Sequence, residues 1–487
     1  MGYAGSDFYG VFMRSLASLV ALLSAPAFAG SIQAPGVIAG PDSGAATPNT
    51  AAVLYNPAAI AAADGTQAMF DVQAASIRVD VDSWRNGGFD PNTGVGYNTA
   101  TARVLAPVTF MGVTHEIIDD KLTAGLGLGM PFLGGGDYTS SEEAGAPPYT
   151  SHQRYFGVNT KVITAQFIPA IGFTPMEDWG LHLGAGMTYT LDIFQITKTS
   201  NVGQEGLGGT DDAPEPYSTD AILSGETQGS HMGWNAGVFF DRYKLAQVGL
   251  SYTSGGTFTG TGEGSVEFPG FLVAGGESKK VDADLEISLK LPEIWRLAVN
   301  SQVTKRFNIG GGLDHYRWNA CCGGEDGDIL VSLQDKQGNE VGAGDDDILM
   351  SVSKEIASPR RLWDATNYFV SGGYQANKRV WLGGRVAYNQ NAVPDYAVSA
   401  TNLDFENAGF QVGSRYRMPM GKKDGGLTFG LSYSKFYLFD RKISGGAWDG
   451  GGPDAGFSPT EPPFNVSGDG HYRGKVDILG VRIGWDQ

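Results

Sequence analysis

Residue types that do chemistry are sparse in this sequence, and their spacing argues first against catalysis. The six histidines, His115, His152, His182, His231, His315 and His471, are scattered. They form no recognisable metal-ligand set and no nucleophile–base constellation. We therefore expect no enzyme, no metal and no cofactor. Cys321 and Cys322 are the only cysteines and are adjacent, so there is no disulfide framework. A vicinal disulfide, a soft-metal contact and an idle loop feature are the three readings left. Lone cations within alternating segments are the more promising chemistry. Lys290 and Arg296 stand out of phase with the apolar odd positions of residues 285–299. Arg385 stands opposite Leu382, Val386 and Tyr388, and Arg415 and Arg417 stand opposite Phe410, Val412 and Tyr416. A cation held on the polar face of such a segment suits the carboxylate head of an otherwise apolar ligand. Lys290 leads this group, because it precedes Leu291-Pro292 near mid-strand.

The elements that must position these cations are strands. The chain has 487 residues, 72 of them glycine, a glycine content roughly twice the average. Aromatics make up 11% and charged residues only 18%. Beyond the N-terminal segment no apolar run approaches the ~20 residues of a membrane helix. From about Ala68 onward the hydrophobicity alternates with period two. Residues 181–189, 234–240, 427–433 and 479–485 each place bulky apolar side chains on one face. Glycine, serine, threonine or charge occupies the other face. About fourteen such segments centre near residues 75, 109, 127, 163, 188, 236, 252, 290, 313, 371, 385, 412, 433 and 480. Short turns such as Asp119-Asp120 and Asn377-Lys378 alternate with long polar stretches, as the turns and loops of a membrane barrel do. In that setting the apolar face meets lipid and the polar face lines the lumen. The fold class expected is all-β, a transmembrane antiparallel barrel of about fourteen strands.

The N-terminus reads as an export signal. Arg14 precedes an apolar core at residues 16–23 and the cleavage pattern Ala27-Phe28-Ala29. Met13 is the alternative start. The expected division is a signal peptide at 1–29, an N-terminal hatch at 30–65 and the barrel at 66–487. The hatch segment is rich in Ala, Gly and Pro and does not alternate. Within it Asn56-Pro57-Ala58 fixes local geometry, because Pro57 sets its own φ and biases Asn56 away from the α region. A net charge of −18 sets the chain against nucleic acid. A second local signal is Met130-Pro131-Phe132-Leu133 followed by Gly134, Gly135 and Gly136. Proline cannot donate to a ladder and three glycines weaken pairing, so we expect a local opening of the wall there.

Tyr55-Asn56-Pro57-Ala58 resembles a motif near the N-terminus of the FadL/TodX family of outer-membrane transporters. Other stretches are similar in the same order: Met130 to Gly134, Gly233-Trp234-Asn235-Ala236-Gly237, Leu291-Pro292-Glu293-Ile294-Trp295, and residues 382–388 followed by Val393-Pro394. The resemblance covers nearly all of the mature chain. It implies a fourteen-stranded barrel plugged by an N-terminal hatch in the outer membrane of a Gram-negative bacterium. It also implies passive transport of long-chain fatty acids, or of aromatic and aliphatic hydrocarbons, with a sideways exit through the wall. The partners that follow are a hydrophobic small molecule, outer-membrane lipid and lipopolysaccharide, and the barrel-assembly machinery, with the chain acting as a monomer. The sequence departs from the family at its end, where Trp485 is followed by Asp486-Gln487. The rivals are a general diffusion porin, an outer-membrane hydrolase and an adhesin using the acidic loops.

Overall fold

The computed structural model describes residues 40–41, 43–83, 98–130, 133–137, 158–201, 220–243, 246–324, 329–342, 347–348, 355–358, 360–399, 402–420, 425–446 and 468–487. The export segment, residues 30–39 of the hatch and Pro131 lie outside them. The strands in chain order are β1 (Thr66–Ser83), β2 (Asn98–Ile118), β3 (Leu122–Gly129), β4 (Leu133–Asp137), β5 (Asn159–Met176), β6 (Leu181–Asn201) and β7 (Asp220–Tyr243). They continue as β8 (Ala246–Thr253), β9 (Gly256–Phe268), β10 (Lys279–Leu291), β11 (Ile294–Thr304), β12 (Phe307–Tyr316), β13 (Ile329–Gln334) and β14 (Glu355–Ser358). The rest are β15 (Ala365–Gln375), β16 (Val380–Asn389), β17 (Asn407–Pro419), β18 (Gly426–Leu438), β19 (Arg441–Ile443) and β20 (Gly470–Asp486). Two short helices, α1 (Ala52–Tyr55) and α2 (Trp318–Cys322), complete the regular elements used below.

These segments make a closed antiparallel barrel of 14 wall strands. Several wall strands are interrupted and so count as two segments. β3 and β4 both pair with β5, and β8 and β9 both pair with β7. β10 and β11 face β13 and β12 in the same way. The ring closes where β20 pairs with β1, from Gln67↔Asp486 to Ser83↔Gly470. Each of the alternating segments read from the sequence falls on one wall strand. Among the described residues no helix is long and apolar enough to cross a membrane. The adjacent cysteines are joined as a vicinal disulfide at the end of α2.

Alternation alone does not say which face meets what, and here the structure corrects the sequence reading. Along β6 the even positions face the lumen throughout: Gly184 abuts the N-terminal segment inside the barrel. In the lower half the odd positions Leu183, Met187, Tyr189 and Leu191 are exposed apolar residues. Further up, the lumen-facing Phe194 and Ile196 are the buried apolar ones. β7 has 24 residues, about 80 Å of extended chain, while the apolar band of such a barrel is ~25 Å tall. Above the lipid the outer face meets water, so the apolar side chains turn inward. There Phe194, Leu223, Phe258, Val266, Leu285 and Ile287 pack as one cluster. A second cluster includes Val79, Trp318, Phe405 and Tyr472.

The same switch overturns the expected inward orientation of Lys290. In β11 the even positions Ile294, Arg296 and Ala298 are buried and the odd ones exposed. In β10 the odd positions Ala283, Leu285 and Ile287 are buried, and Lys290 is exposed with Glu286. The break at Pro292-Glu293 shifts the phase by one residue, as a one-residue slip must. It lies where the interior changes from polar to apolar. Two changes on one face of β6 test this zoning. Leu191→Arg should reduce barrel stability by about 2–4 kcal/mol, as a cation in the lipid band does. Gln195→Arg, higher on that face and beside Glu226, should cost about 0.5 kcal/mol or less. Denaturant titration in lipid vesicles separates the two.

Candidate functional site

The lumen is occupied by the segment before β1, here called the hatch. α1 runs directly into a 3-10 helix, Pro57–Ala62. Asn56 joins them in extended conformation, with φ −161° and ψ 100°, as expected for a residue before proline. Its Oδ1 accepts from the Ala58 amide at 3.1 Å, capping the second helix. Its Nδ2 donates to Ala45 O at 2.8 Å and to Val238 O on β7 at 3.1 Å. One fully buried carboxamide thus ties two parts of the hatch to each other and to the wall.

The wall reciprocates with two side chains that the sequence reading did not single out. Asn235 Nδ2 donates to Val53 O at 2.9 Å and Ser251 Oγ donates to Tyr55 O at 2.5 Å. Both satisfy carbonyls at the end of a short helix, which otherwise lack partners. Their sequence signal was only their position on the polar face beside glycine. The glycines themselves make the seat. A Cβ on Gly237 would lie 2.0 Å from Asn56 Oδ1, and one on Gly184 2.2 Å from Ala58 N. One on Gly249 would lie 1.9 Å from Ala45 O. Gly125, Gly127 and Gly172 likewise give way to Val53 and Ile60. The high glycine content is therefore, in part, the space the hatch fills.

Of the predicted cations, Arg296 and Arg385 come to this seam. Arg296 donates through Nη1 to Thr253 Oγ1 at 2.8 Å, and its Nε is 4.0 Å from Asp314 Oδ1. Arg385 donates through Nη1 to Ser43 O and Ser43 Oγ of the hatch, both at 3.2 Å, and lies 3.7 Å from the centre of the Phe369 ring. Tyr55 shares the seam, and burial pushes its phenol well above the usual range. Arg415 faces inward elsewhere, stacked 4.0 Å over Trp381. It lines a small pocket with Pro41, Gly413, Gly430 and Arg482. Arg482 pairs with Asp71 at 3.0 Å, and Arg417 with Asp486. Lys290 joins neither group.

Among the described residues one stretch of the wall lacks a ladder. β2 pairs with β3 from Phe110↔Gly129 to Ile118↔Leu122. The last contact is the Met130 amide donating to Thr109 O at 3.2 Å. Beyond it, β4 carries Gly134, Gly135 and Gly136 and pairs with β5 alone. Among the described residues no ladder joins β4 to β2, whose residues 98–108 pair only with β1. Because Thr109 O points to this side, strand alternation turns the backbone of Pro107 the same way. Proline has no N–H to leave unpaired there, which suits a free edge. Outward, Leu105 is 78% exposed beside the gap. Inward, Val108 and Phe110 on the same strand pack into the hatch cluster with Val53 and Leu54.

A closed antiparallel barrel with a seated hatch, an outward apolar band and an apolar interior above it defines a plugged outer-membrane transport barrel. The chain belongs to the outer membrane protein transport protein family (OMPP1/FadL/TodX), whose model matches residues 21–436. It is therefore a transporter of hydrophobic compounds in the outer membrane of a Gram-negative bacterium. No curated protein sequence matches it. Among solved structures, a Pseudomonas aeruginosa FadL homologue has the same fold at 17% identity and a TM-score of 0.67, over 91% of this chain and 95% of that one. The Pseudomonas putida toluene transporter TodX follows at 13% identity and 0.61, over 93% and 97%. The Ralstonia pickettii toluene transporter TbuX follows at 12% and 0.58, over 92% and 97%.

Asn56→Ala should release the hatch while leaving the barrel closed. It removes two buried hydrogen bonds and one part-buried one, roughly 3–5 kcal/mol in sum. Hydrogen exchange should speed up at hatch amides such as Ala52 and Asn56 and stay slow in β6 and β7.

Proposed function

We propose that this protein carries hydrophobic small molecules passively across the outer leaflet region, with long-chain fatty acids as the best-fitting substrate. The single observation behind the route is the unpaired stretch between β2 and β4. A hydrophobic solute gains nothing from a wet pore, since removal from water is its favourable direction. Higher in the lumen it meets apolar clusters, and at the level of the hatch it meets glycines and the Arg482–Asp71 ion pair. The gap offers a sideways path into lipid at the level of the hatch cluster. Pro131, Gly134, Gly135 and Gly136 are our candidates for its lining on one side, and Leu105 and Pro107 lie on the other. Arg296 and Arg385 are the head-group candidates, with Arg415 further down. Export of residues 1–29, insertion by the barrel-assembly machinery and a monomeric state in lipopolysaccharide-containing membrane complete the reading.

Aromatic or aliphatic hydrocarbons are the second reading. The solved relatives named as toluene transporters favour it, and so do the apolar upper clusters. A general porin fits less well, because the hatch occupies the lumen.

Two measurements divide these readings. Replacing Gly134, Gly135 and Gly136 together with leucine should lower fatty-acid uptake by tenfold or so while heat-modifiable gel mobility still reports a folded barrel. Unchanged uptake would exclude the gap as the exit. Binding of a long-chain fatty acid should exceed that of the alkane of equal length by about tenfold or more, a charged-group hydrogen bond being worth ~1.5–3 kcal/mol. Equal binding would favour hydrocarbons.

A further inference from the structure

The seam between hatch and wall carries an unbalanced charge. Arg296 is 2% exposed and Arg385 is 9% exposed. The hydrogen bonds of Arg385 go to two uncharged oxygens of Ser43. Arg296 uses Nη1 on Thr253, and its buried Nε has no hydrogen-bond partner. Among the described residues, Asp314 is the one carboxylate whose charge reaches either guanidinium. Tyr55 and Tyr316 border the cluster and are buried. As phenols they are neutral at physiological pH and cancel no charge. Two cations therefore share one anion in a place largely removed from water. Guanidinium does not lose its proton in proteins, so the imbalance has no relief by titration. A buried charge without a counter-charge is strongly destabilising, and a guanidinium edge matches a small anion well.

We propose that the seam binds one monovalent anion, a carboxylate or a halide, between Arg296 and Arg385. The anion completes the charge balance of the cluster and holds the beginning of the hatch, through Ser43, against β16. Two sources share this chemistry. One is a resident inorganic ion. The other is the carboxylate head of an amphiphile in transit, and that source rests on the transport reading above. A head group arriving there competes with Ser43 for Arg385 and so loosens the start of the hatch.

The test uses the full mature chain in a non-ionic detergent, with sodium sulfate holding ionic strength constant. Sodium chloride, sodium octanoate and octanol are titrated in turn, and the thermal unfolding midpoint and hydrogen exchange at Thr47 and Ala52 are followed. The expected result is a saturable response to chloride, to octanoate or to both, and none specific to octanol. A response to chloride alone identifies a resident ion. Octanoate that competes with chloride and speeds hatch exchange identifies the head group. Arg296→Met should weaken the apparent affinity at least about tenfold, and Asp314→Asn should strengthen it by a similar factor, because it removes the competing carboxylate. The opposite directions of the two variants keep a general loss of folding from imitating the result. No saturable anion response, or a response that both variants leave unchanged, overturns the proposal. If the chloride response persists while uptake of every hydrophobic solute is absent, the transport reading fails and the anion site stands.

Discussion

Hydrocarbon offers no hydrogen bonds, so a strand that crosses it must give its amides and carbonyls to its neighbours. That constraint bends the wall into a ring, with β20 returning to β1 over the full length of both. It also makes any interruption of the ring informative. Among the described residues, β2 above Thr109 keeps one partner instead of two. The free side carries Pro107, which has no amide to strand, and glycines lie across from it on β4. Pro107 loses no amide hydrogen bond at this break.

Closing the ring creates a lumen, and the lumen has to be filled. The hatch does so with short helices, whose ends leave many carbonyls and amides without partners. The wall supplies those partners from side chains that a water-filled pore would not need: Asn235, Ser251 and, through Ser43, Arg385. Glycine on the facing strands lets the two backbones approach. Asn56 sits where these needs meet, and so a single carboxamide couples the fold of the hatch to its place in the barrel.

The interior is divided by height. Its lower part is polar, with Arg482 on Asp71 beside Gly40 of the hatch, and His231 Nδ1 lies 2.9 Å from Asp192 Oδ2 just under the apolar cluster. Its upper part is packed with apolar clusters that also enclose polar groups such as Lys198. A hydrophobic solute entering from outside thus meets apolar clusters first and polar side chains as it nears the hatch. The gap in the wall begins at that boundary, beside Val108 and Phe110. The same division explains why apolar residues stay on the odd positions from Leu285 to Val299 while those positions change sides. The break at Pro292 shifts the backbone phase where the surroundings change.

The sequence by itself determined the barrel, its strand number and the existence of a hatch. Period-two alternation is a local property, and the non-alternating segment before Thr66 is equally local. It also placed Arg385 and Arg415 on inward faces, each within one uninterrupted strand, and Arg296, which lies past the Pro292 break where the apolar odd positions do face outward. It misplaced Lys290, since alternation gives two faces without saying which is which, and a one-residue break exchanges them. Only the tertiary structure decided that. It also decided which arginines share a seam, since Arg385 and Ser43 meet although 342 positions separate them in the chain. The partners of Asn56 belong to the same class: Ala45 O and Val238 O are backbone atoms, and no side-chain pattern announces them. The long-range pairing of the wall, which no local signal encodes, sets all three.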